Sequence, residues 1–233
     1  PPAEPFLIWG GATTERRSLI VMVHDAEGHV GYGESPPFGL PFYSEETLTS
    51  ARDMLERVLL PRVLGPVFES IGALDAALRV GVRGNPFARA GLETAAWDLV
   101  AHREGRGLGD VVAAALGVPH TAEVPCGVAL GIPPDRSIDV LRAQVVEAIA
   151  AGYRRVKIKV MPGWDVGPVA AVSDVLKGTQ IPLTVDANGS FECPRDESAL
   201  RAPDAFRLLY IEQPLPPDEL VGHATLSRAL ATP

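Results

Sequence analysis

Residues 154–160, RRVKIKV, form the clearest β-strand pattern in the chain, because charged and apolar side chains alternate along this short run. Apolar segments of similar length lie on either side of it, namely EVPCGVAL (123–130), IPLTVD (181–186) and RLLYIE (207–212). Helical patterns separate the segments, as in residues 137–151, where apolar residues recur every three or four positions. Strands and helices that alternate with a period of roughly 27 residues predict parallel strands joined by crossover helices. Both an open doubly wound sheet and a (β/α)8 barrel satisfy this pattern.

The first third of the chain has an α+β pattern instead. Residues 18–24 and 29–34 are strand-like and flank a turn at residues 25–28, which predicts a β-hairpin. The proline-rich residues 35–43 predict a loop, and Ser44 is the expected N-cap of the helix that follows. A second helix is predicted from the Asn85-Pro86 pair to Gly105, with a buried stripe formed by Phe87, Leu92, Ala95, Ala96, Leu99 and Val100.

The composition excludes several classes of protein. The 233 residues carry a formal net charge of −8, whereas a nucleic-acid-binding surface requires clustered basic residues. The longest apolar runs, such as residues 19–23, fall far short of the ~20 residues of a membrane span. Two cysteines, Cys126 and Cys193, are too few for a disulfide framework. We therefore expect a cytoplasmic enzyme without nucleic-acid or membrane partners.

Ionisable residues lie at the ends of three consecutive predicted strands. These are Lys157 and Lys159, then Asp186 with Asn188 after it, then Glu212. Side chains alternate along a strand, so the two lysines project to the same face. A lysine pair in a strand is usually solvated, and an aspartate at a strand end is often a helix cap. The joint pattern nevertheless indicates a site, because function lies at the carboxyl ends of parallel strands.

These residue types indicate chemistry that combines a metal ion with a lysine base. Two carboxylates that face each other repel unless a divalent cation lies between them, and hard oxygen ligands suit Mg²⁺. A lysine beside that cation and a second lysine is expected to have a lowered pKa, which suits a general base. The reaction indicated is abstraction of a proton next to a carboxylate, with the metal ion stabilising the enediolate.

Longer motifs resemble those of the enolase superfamily. Within its muconate-lactonising subgroup they are similar to the o-succinylbenzoate synthase / N-acylamino acid (N-succinylamino acid) racemase group. The motifs are GYGES (31–35), RGNPFARAGLETAAWDL (83–99), GVALGI (127–132), GYRRVKIKVMPGWDV (152–166), LTVDAN (183–188) and YIEQPL (210–215). The resemblance covers essentially the whole chain. It implies an α/β protein with an N-terminal α+β capping domain over residues 1–121 and, over residues 122–233, the first half of a (β/α)8-type, TIM-like barrel.

The resemblance also implies a role for each site residue. Lys159 would be the catalytic acid/base, and Lys157 would hold the substrate carboxylate or enolate. Asp186 and Glu212 would be ligands of Mg²⁺, with Mn²⁺ as the alternative ion, and Asn188 would be a polar neighbour at the substrate. The loops that match those capping the barrel mouth carry three further expected substrate contacts, which are Trp9, Phe38 and Tyr43.

The sequence departs from the family pattern in its second half. The family places a third acidic metal ligand at the end of the fifth strand, usually within Asp-Glu-Ser, and a second lysine at the end of the sixth. Neither has a counterpart here, since Asp196-Glu197-Ser198 follows no apolar strand and is predicted to be the acidic first turn of a helix. Residues 122–233 provide about four βα units where a closed barrel has eight. We therefore expect the sequence to stop before the fifth strand of a longer protein.

Three functional hypotheses follow from the resemblance. The first is Mg²⁺-dependent dehydration of the o-succinylbenzoate synthase type, a lyase step in menaquinone biosynthesis. The alternative is racemisation of N-acylamino or N-succinylamino acids at the same site. The third is an incomplete, inactive chain that serves as a binding or assembly subunit. The first two imply a small-molecule carboxylate substrate and a homo-oligomer, either a dimer or an octamer.

Overall fold

The structure is a computed structural model that describes residues 6–8, 11–13, 15–193 and 195–233. The chain folds into two units, one formed by residues 15–123 and the other by residues 124–233 with an N-terminal strand pair. That pair consists of β1 (Phe6–Ile8) and β2 (Gly11–Thr13), which are antiparallel. In the described part of the chain, no helix is both long enough and apolar enough to cross a membrane.

The unit of residues 15–123 consists of a hairpin packed on helices. Strands β3 (Leu19–His24) and β4 (Val30–Ser35) pair antiparallel, as the sequence predicts. The helices are α1 (Leu48–Met54), which continues through a π-helical turn (Leu55–Leu59) into α2 (Leu60–Val63), then α3 (Ile71–Arg79), α4 (Pro86–Glu104) and α5 (Leu108–Leu116). Its buried core is formed by Ala51, Leu55, Leu59, Leu78, Ala88 and Leu92.

Glycines allow β4 to lie directly against α4. A Cβ atom on Gly33 would overlap the carbonyl oxygen of Gly91, and one on Gly31 would overlap that of Ala95. The buried residues of α4 are correspondingly small apart from one leucine: Ala88, Gly91, Leu92, Ala95, Ala96 and Ala101. The predicted stripe is therefore wrong at Phe87, Leu99 and Val100, which are only partly buried. The strand lies too close to the helix for bulky side chains between them.

The predicted N-cap of the first helix in this unit is wrong. The N-cap of α1 is Thr47, whose hydroxyl accepts a hydrogen bond from the backbone N–H of Ser50, and Ser44 lies outside the helix. Glu46 is buried instead, and its carboxylate accepts the backbone N–H groups of Phe87 (2.7 Å) and Ala88 (3.0 Å) at the start of α4. Helix α4 begins after Asn85 as predicted, but Asn85, its N-cap residue, has left-handed backbone (φ 51°) and its side chain makes no capping hydrogen bond.

The unit of residues 124–233 contains a parallel sheet. Its strands are β5 (Gly127–Leu130), β6 (Arg155–Lys159), β7 (Leu183–Asp186) and β8 (Ile211–Glu212). Its helices are α6 (Ile138–Ala150), α7 (Val166–Leu176), α8 (Glu197–Arg201), which continues as a 3-10 helix (Ala202–Phe206), and α9 (Leu220–Ala229). The strands neighbour one another in chain order, without the reversal of a doubly wound sheet, so the unit is barrel-like.

The core of this unit fixes the direction of the lysine pair. Ile158 is 1% exposed and belongs to the core cluster that includes Leu141 and Val145 of α6 and Val169 of α7. Because side chains alternate along β6, its neighbours Lys157 and Lys159 project to the opposite face of the sheet. The hydrophobic core therefore positions both ammonium groups.

We expect Gly33→Ala to destabilise the unit by at least about 2 kcal/mol. The new methyl group would overlap backbone atoms of α4, which cannot move aside as a flexible side chain could. Gly39→Ala is the matched control, since nothing lies within 4 Å of a Cβ atom at that position. Urea unfolding of the two variants measures the difference in stability. Equal stability of the two variants would contradict the close approach of β4 to α4.

We expect Glu46→Gln to lower the free energy of unfolding by about 1–3 kcal/mol, because one buried backbone N–H of α4 loses its acceptor. Glu45 is exposed and adjacent, so Glu45→Gln is the control for the loss of one negative charge. Thermal or urea unfolding measures the difference. A loss of similar size in both variants would mean that the bonds to α4 contribute little.

Candidate active site

The parallel register places three of the predicted residues in one row across the sheet. Lys159 in β6 pairs with Asp186 in β7, and Asp186 pairs with Glu212 in β8. Lys157 lies on the same face of β6, one pleat earlier. The structure therefore brings these four residues together at the carboxyl edge of the sheet.

The ammonium group of Lys157 lies between two carboxylates. Its Nζ is 3.2 Å from Asp186 Oδ2 and 3.0 Å from Glu212 Oε2. The Asp186 side chain is 2% exposed, whereas that of Glu212 is 41% exposed. The ion pairs therefore run from the interior of the unit towards its surface.

Lys159 is held by two acceptors from a single turn. Its Nζ donates to Asp186 Oδ2 at 2.6 Å and to Asn188 Oδ1 at 2.7 Å. The backbone N–H of Asn188 donates in turn to Asp186 Oδ1 at 3.0 Å. Asn188 has left-handed backbone (φ 46°), a conformation that asparagine tolerates better than most residues.

Each charge in this group depends on its neighbours. Burial by itself raises the pKa of Asp186, but Lys159, the backbone N–H of Asn188 and the charge of Lys157 together hold that pKa below its usual value. Burial lowers the pKa of Lys157, but hydrogen bonds and charge from Glu212 and Asp186 outweigh it, so that pKa is raised. Two carboxylates in contact with the ammonium group therefore favour the charged form of Lys157 in the metal-free protein, and the lowered lysine pKa expected beside a bound cation stays a prediction.

The same two carboxylates fit a divalent cation. Asp186 and Glu212 direct oxygen atoms from adjacent strands towards one positive group, the ammonium of Lys157. Carboxylate oxygens are hard ligands of the kind that Mg²⁺ takes in proteins. The donor set is therefore suitable for holding part of the coordination shell of Mg²⁺.

A second group of ligand-type side chains, which the motifs did not indicate, lies in the turn between β3 and β4. Asp25, Glu27 and His29 have donor atoms within 4.8 Å of one another. Hydrogen bonds within the turn explain this arrangement, since Asp25 Oδ1 accepts the backbone N–H groups of Glu27 and His29 at 2.9 Å each. Asp25 Oδ2 lies 2.9 Å from His29 Nδ1.

The triplet Asp196-Glu197-Ser198 lies apart from the row of strand ends. Helix α8 begins at Glu197, with Asp196 as its N-cap residue. The Asp196 carboxylate accepts the backbone N–H of Glu192 at 2.9 Å. The prediction that this triplet forms the acidic first turn of a helix is confirmed.

Two of the three predicted aromatic substrate contacts, Phe38 and Tyr43, lie in the unit of residues 15–123. Phe38 stacks on Phe42 (4.6 Å between ring centroids) and contacts Tyr43 edge-on (5.7 Å), within the unit of residues 15–123. The guanidinium of Arg16 lies 4.0 Å from the centre of the Phe38 ring, a contact that no sequence motif indicated. Trp9 lies outside the described residues.

Both units match domains of known families. Residues 1–112 match the N-terminal domain of mandelate racemase / muconate lactonizing enzyme. Residues 140–233 match the enolase C-terminal domain-like family. The two matches include the hairpin of the first unit and strands β6, β7 and β8 with all four strand-end residues described above.

Curated relatives match nearly the whole chain. It is 38% identical over 229 residues to an o-succinylbenzoate synthase of Geobacillus kaustophilus, which is 98% of this chain and 58% of the relative. It is 43% identical over 223 residues to an N-succinylamino acid racemase of Thermus thermophilus, which is 96% of this chain and 57% of the relative. The chain thus spans less than three-fifths of the length of these relatives.

A solved structure shows the same fold. An unknown member of the enolase superfamily from Enterococcus faecalis superimposes with a TM-score of 0.85 at 34% sequence identity. The match covers 99% of this chain and 59% of that one. The barrel-like arrangement of the second unit is therefore the arrangement of that superfamily.

We expect Lys159→Met to lower the free energy of unfolding by about 3 kcal/mol in buffer without divalent cations, because the buried carboxylate of Asp186 loses its closer ion pair and keeps the 3.2 Å pair with Lys157 and the backbone N–H of Asn188. Lys157→Met is the matched variant, and its cost should be about 1 kcal/mol because the closer pair remains. Adding Asp186→Asn to Lys159→Met should recover part of the loss. Urea unfolding measures the stability of the two single variants and of the double variant. A larger loss of stability in Lys157→Met than in Lys159→Met would contradict the assignment of Lys159 as the main ion-pair partner of Asp186.

Proposed function

Since the chain belongs to the mandelate racemase / muconate lactonizing enzyme family of the enolase superfamily, we propose that it carries the proton-abstraction site of a Mg²⁺-dependent dehydratase of the o-succinylbenzoate synthase type. The observation that supports this most directly is the cluster of two lysines and two carboxylates on three adjacent strand ends. The substrate would be a small molecule with a carboxylate next to an acidic C–H bond.

We propose the following division of roles. Asp186 and Glu212 hold Mg²⁺, which, when bound, supplies positive charge that stabilises an enediolate. Lys157 binds the substrate carboxylate or the enolate electrostatically through its ammonium group. Lys159 removes the proton next to that carboxylate. Its side chain is 10% exposed, so little water competes for the transferred proton.

In the dehydration, the electron pair of the broken C–H bond first forms the enediolate. When the enediolate collapses, that pair forms a carbon–carbon double bond and the C–O bond of the β-hydroxyl breaks, with its electron pair leaving on oxygen. The proton that Lys159 abstracted passes to this oxygen, so the hydroxyl leaves as water and Lys159 returns to its neutral form. General-base catalysis of this kind contributes about 10²- to 10⁴-fold to a rate.

Racemisation of N-succinylamino acids is the second candidate, and the 43% identity to the Thermus thermophilus racemase supports it. That reaction begins with the same proton abstraction, and a proton is then returned to the opposite face of the enediolate. The four residues on the three strand ends described above serve the first step of both reactions. The roles of Asn188, Phe38, Tyr43 and Trp9 at the substrate, and the homo-oligomer, stay predictions.

We further propose that the four βα units correspond to the first half of an eight-unit barrel. The hydrogen bonds beyond β8 support this. The backbone N–H of Val156 in β6 donates to the carbonyl of Pro182, the residue directly before β7. In the same way the N–H of Ile211 in β8 donates to the carbonyl of Pro233 at 2.8 Å. Pro233 therefore lies where the residue preceding a next parallel strand is expected.

We expect the purified polypeptide, as it is encoded, to convert the cyclohexadiene precursor of o-succinylbenzoate in the presence of Mg²⁺ and to lose this activity with EDTA. Turnover of that precursor, measured against racemisation of N-succinylamino acids, ranks the two candidate reactions. Lack of both activities in the Mg²⁺-loaded protein would overturn the proposed function.

Lys159→Ala should lower the rate of the preferred reaction by at least ~10²-fold, because the proposed base is removed. Lys177→Ala is the matched control, since Lys177 is exposed at the end of α7 and belongs to no strand end. Steady-state kinetics of both variants measures the effect. Wild-type activity in Lys159→Ala would refute the assignment of the base.

A further inference from the structure

We infer that Asn188 is a positioning residue for Lys159, rather than the substrate contact that the family resemblance implies. The inference rests on the proposed function, because it concerns how the proposed base is aimed. It starts from the two shortest contacts of the cluster, in which Lys159 Nζ donates to Asp186 Oδ2 at 2.6 Å and to Asn188 Oδ1 at 2.7 Å.

The number of acceptors matches what a lysine base needs. A neutral amine has two N–H groups and one lone pair, arranged tetrahedrally with the Cε–Nζ bond. When two fixed acceptors take both N–H groups, the lone pair is left with one direction. With one acceptor, the amine can rotate about the Cε–Nζ bond, and the lone pair has several directions. Asn188 is the second acceptor, so it determines where the lone pair points.

The turn after β7 holds this second acceptor rigidly. The backbone N–H of Asn188 donates to Asp186 Oδ1 at 3.0 Å, so one carboxylate orients both the lysine and the turn. The next residue, Gly189, donates its N–H to the carbonyl of Gln213 at 2.8 Å, which attaches the turn to the segment after β8. Asn188 adopts its left-handed backbone (φ 46°) between these two bonds, and conformations of this kind are kept at functional sites.

The chemistry of the amide suits the position. Asp186 is a proposed metal ligand, so its oxygens would bind the cation as well as orient Lys159, whereas Asn188 is not a proposed ligand. An amide oxygen accepts a hydrogen bond without adding another negative charge beside the base.

The test compares Asn188→Gly with Asn85→Gly in the full polypeptide loaded with Mg²⁺. Both substitutions remove an asparagine side chain at a left-handed position, since Asn85 has φ 51°, but Asn85 belongs to the unit of residues 15–123. Glycine adopts this backbone without strain, so the substitution removes the amide and preserves the turn. For Asn188→Gly we expect kcat to fall by about 10- to 100-fold with KM changed by less than about threefold, because misdirection of a catalytic group costs up to about 10²-fold. Asn85→Gly should leave both constants unchanged.

A crystal structure of metal-free Asn188→Gly gives a second readout that does not depend on activity. We expect Lys159 Nζ to leave the position 2.6 Å from Asp186 Oδ2 or to occupy several rotamers. A rise in KM with kcat unchanged would assign Asn188 to the substrate and overturn the inference. So would unchanged kinetics, or an undisplaced Lys159 Nζ. If the wild-type protein turns over neither candidate substrate, the proposed function fails, and the crystal structure alone decides whether Asn188 positions Lys159.

Discussion

A carboxylate that is 2% exposed cannot keep its charge without positive partners, and the arrangement of the barrel-like unit depends on how Asp186 obtains them. Lys159 contacts it at 2.6 Å and Lys157 at 3.2 Å, both from the neighbouring strand. Those contacts require the β6–β7 register in which Lys159 lies opposite Asp186. A shift of one residue would turn both lysines towards the core that Ile158 occupies. Electrostatics and hydrophobic burial therefore select the same register.

The choice of lysine at these two positions is itself informative. Lysine accounts for only 3 of the 21 Lys and Arg residues, and two of the three are Lys157 and Lys159. Elsewhere the chain uses arginine for its ion pairs, as in Arg52–Glu56 and Arg79–Asp75. Arginine forms such pairs well but stays protonated in proteins, whereas a lysine can lose its proton. The rarity of lysine in the chain is a signal that sequence reasoning could have used and did not.

The sequence predicts those parts of the fold in which apolar side chains recur at regular intervals along the chain. The hairpin β3–β4, the alternation of strands and helices after residue 122, and the lysine pair on one face all follow from alternation with a period of two or 3.6 residues. The strand ends at Lys159, Asp186 and Glu212 agree with the predicted ends because each lies between an apolar run and a turn. The choice between a doubly wound sheet and a barrel depends on the order in which the strands neighbour one another. That order is not visible in the sequence of any single segment.

The parts that could not be predicted are contacts between distant segments. Glu46 looks like a residue of a helical first turn, but it is buried and binds the start of α4, which is 41 positions away. Asn85 precedes a proline as a cap would, yet the carboxylate of Glu46 already satisfies the helix terminus. Asn188 is similar, because its contact with Lys159 spans 29 positions and requires a left-handed turn that the sequence LTVDAN does not reveal. Local sequence propensity determines the conformation and contacts of such residues only where no partner from a distant segment competes.

The similarity of this chain to both an o-succinylbenzoate synthase and an N-succinylamino acid racemase agrees with the chemistry proposed for its strand-end residues. Both reactions begin by moving a proton from carbon to a base while a metal ion and an ammonium group stabilise the resulting negative charge. The residues proposed to serve this step, Lys157, Lys159, Asp186 and Glu212, lie on three adjacent strands. The two reactions diverge only afterwards, when a hydroxyl leaves or a proton returns from the opposite face. A stretch that supplies the common step should therefore resemble both kinds of enzyme about equally, as the identities of 38% and 43% show. Discrimination between the two reactions must then come from groups on the opposite face of the substrate and around its side chain.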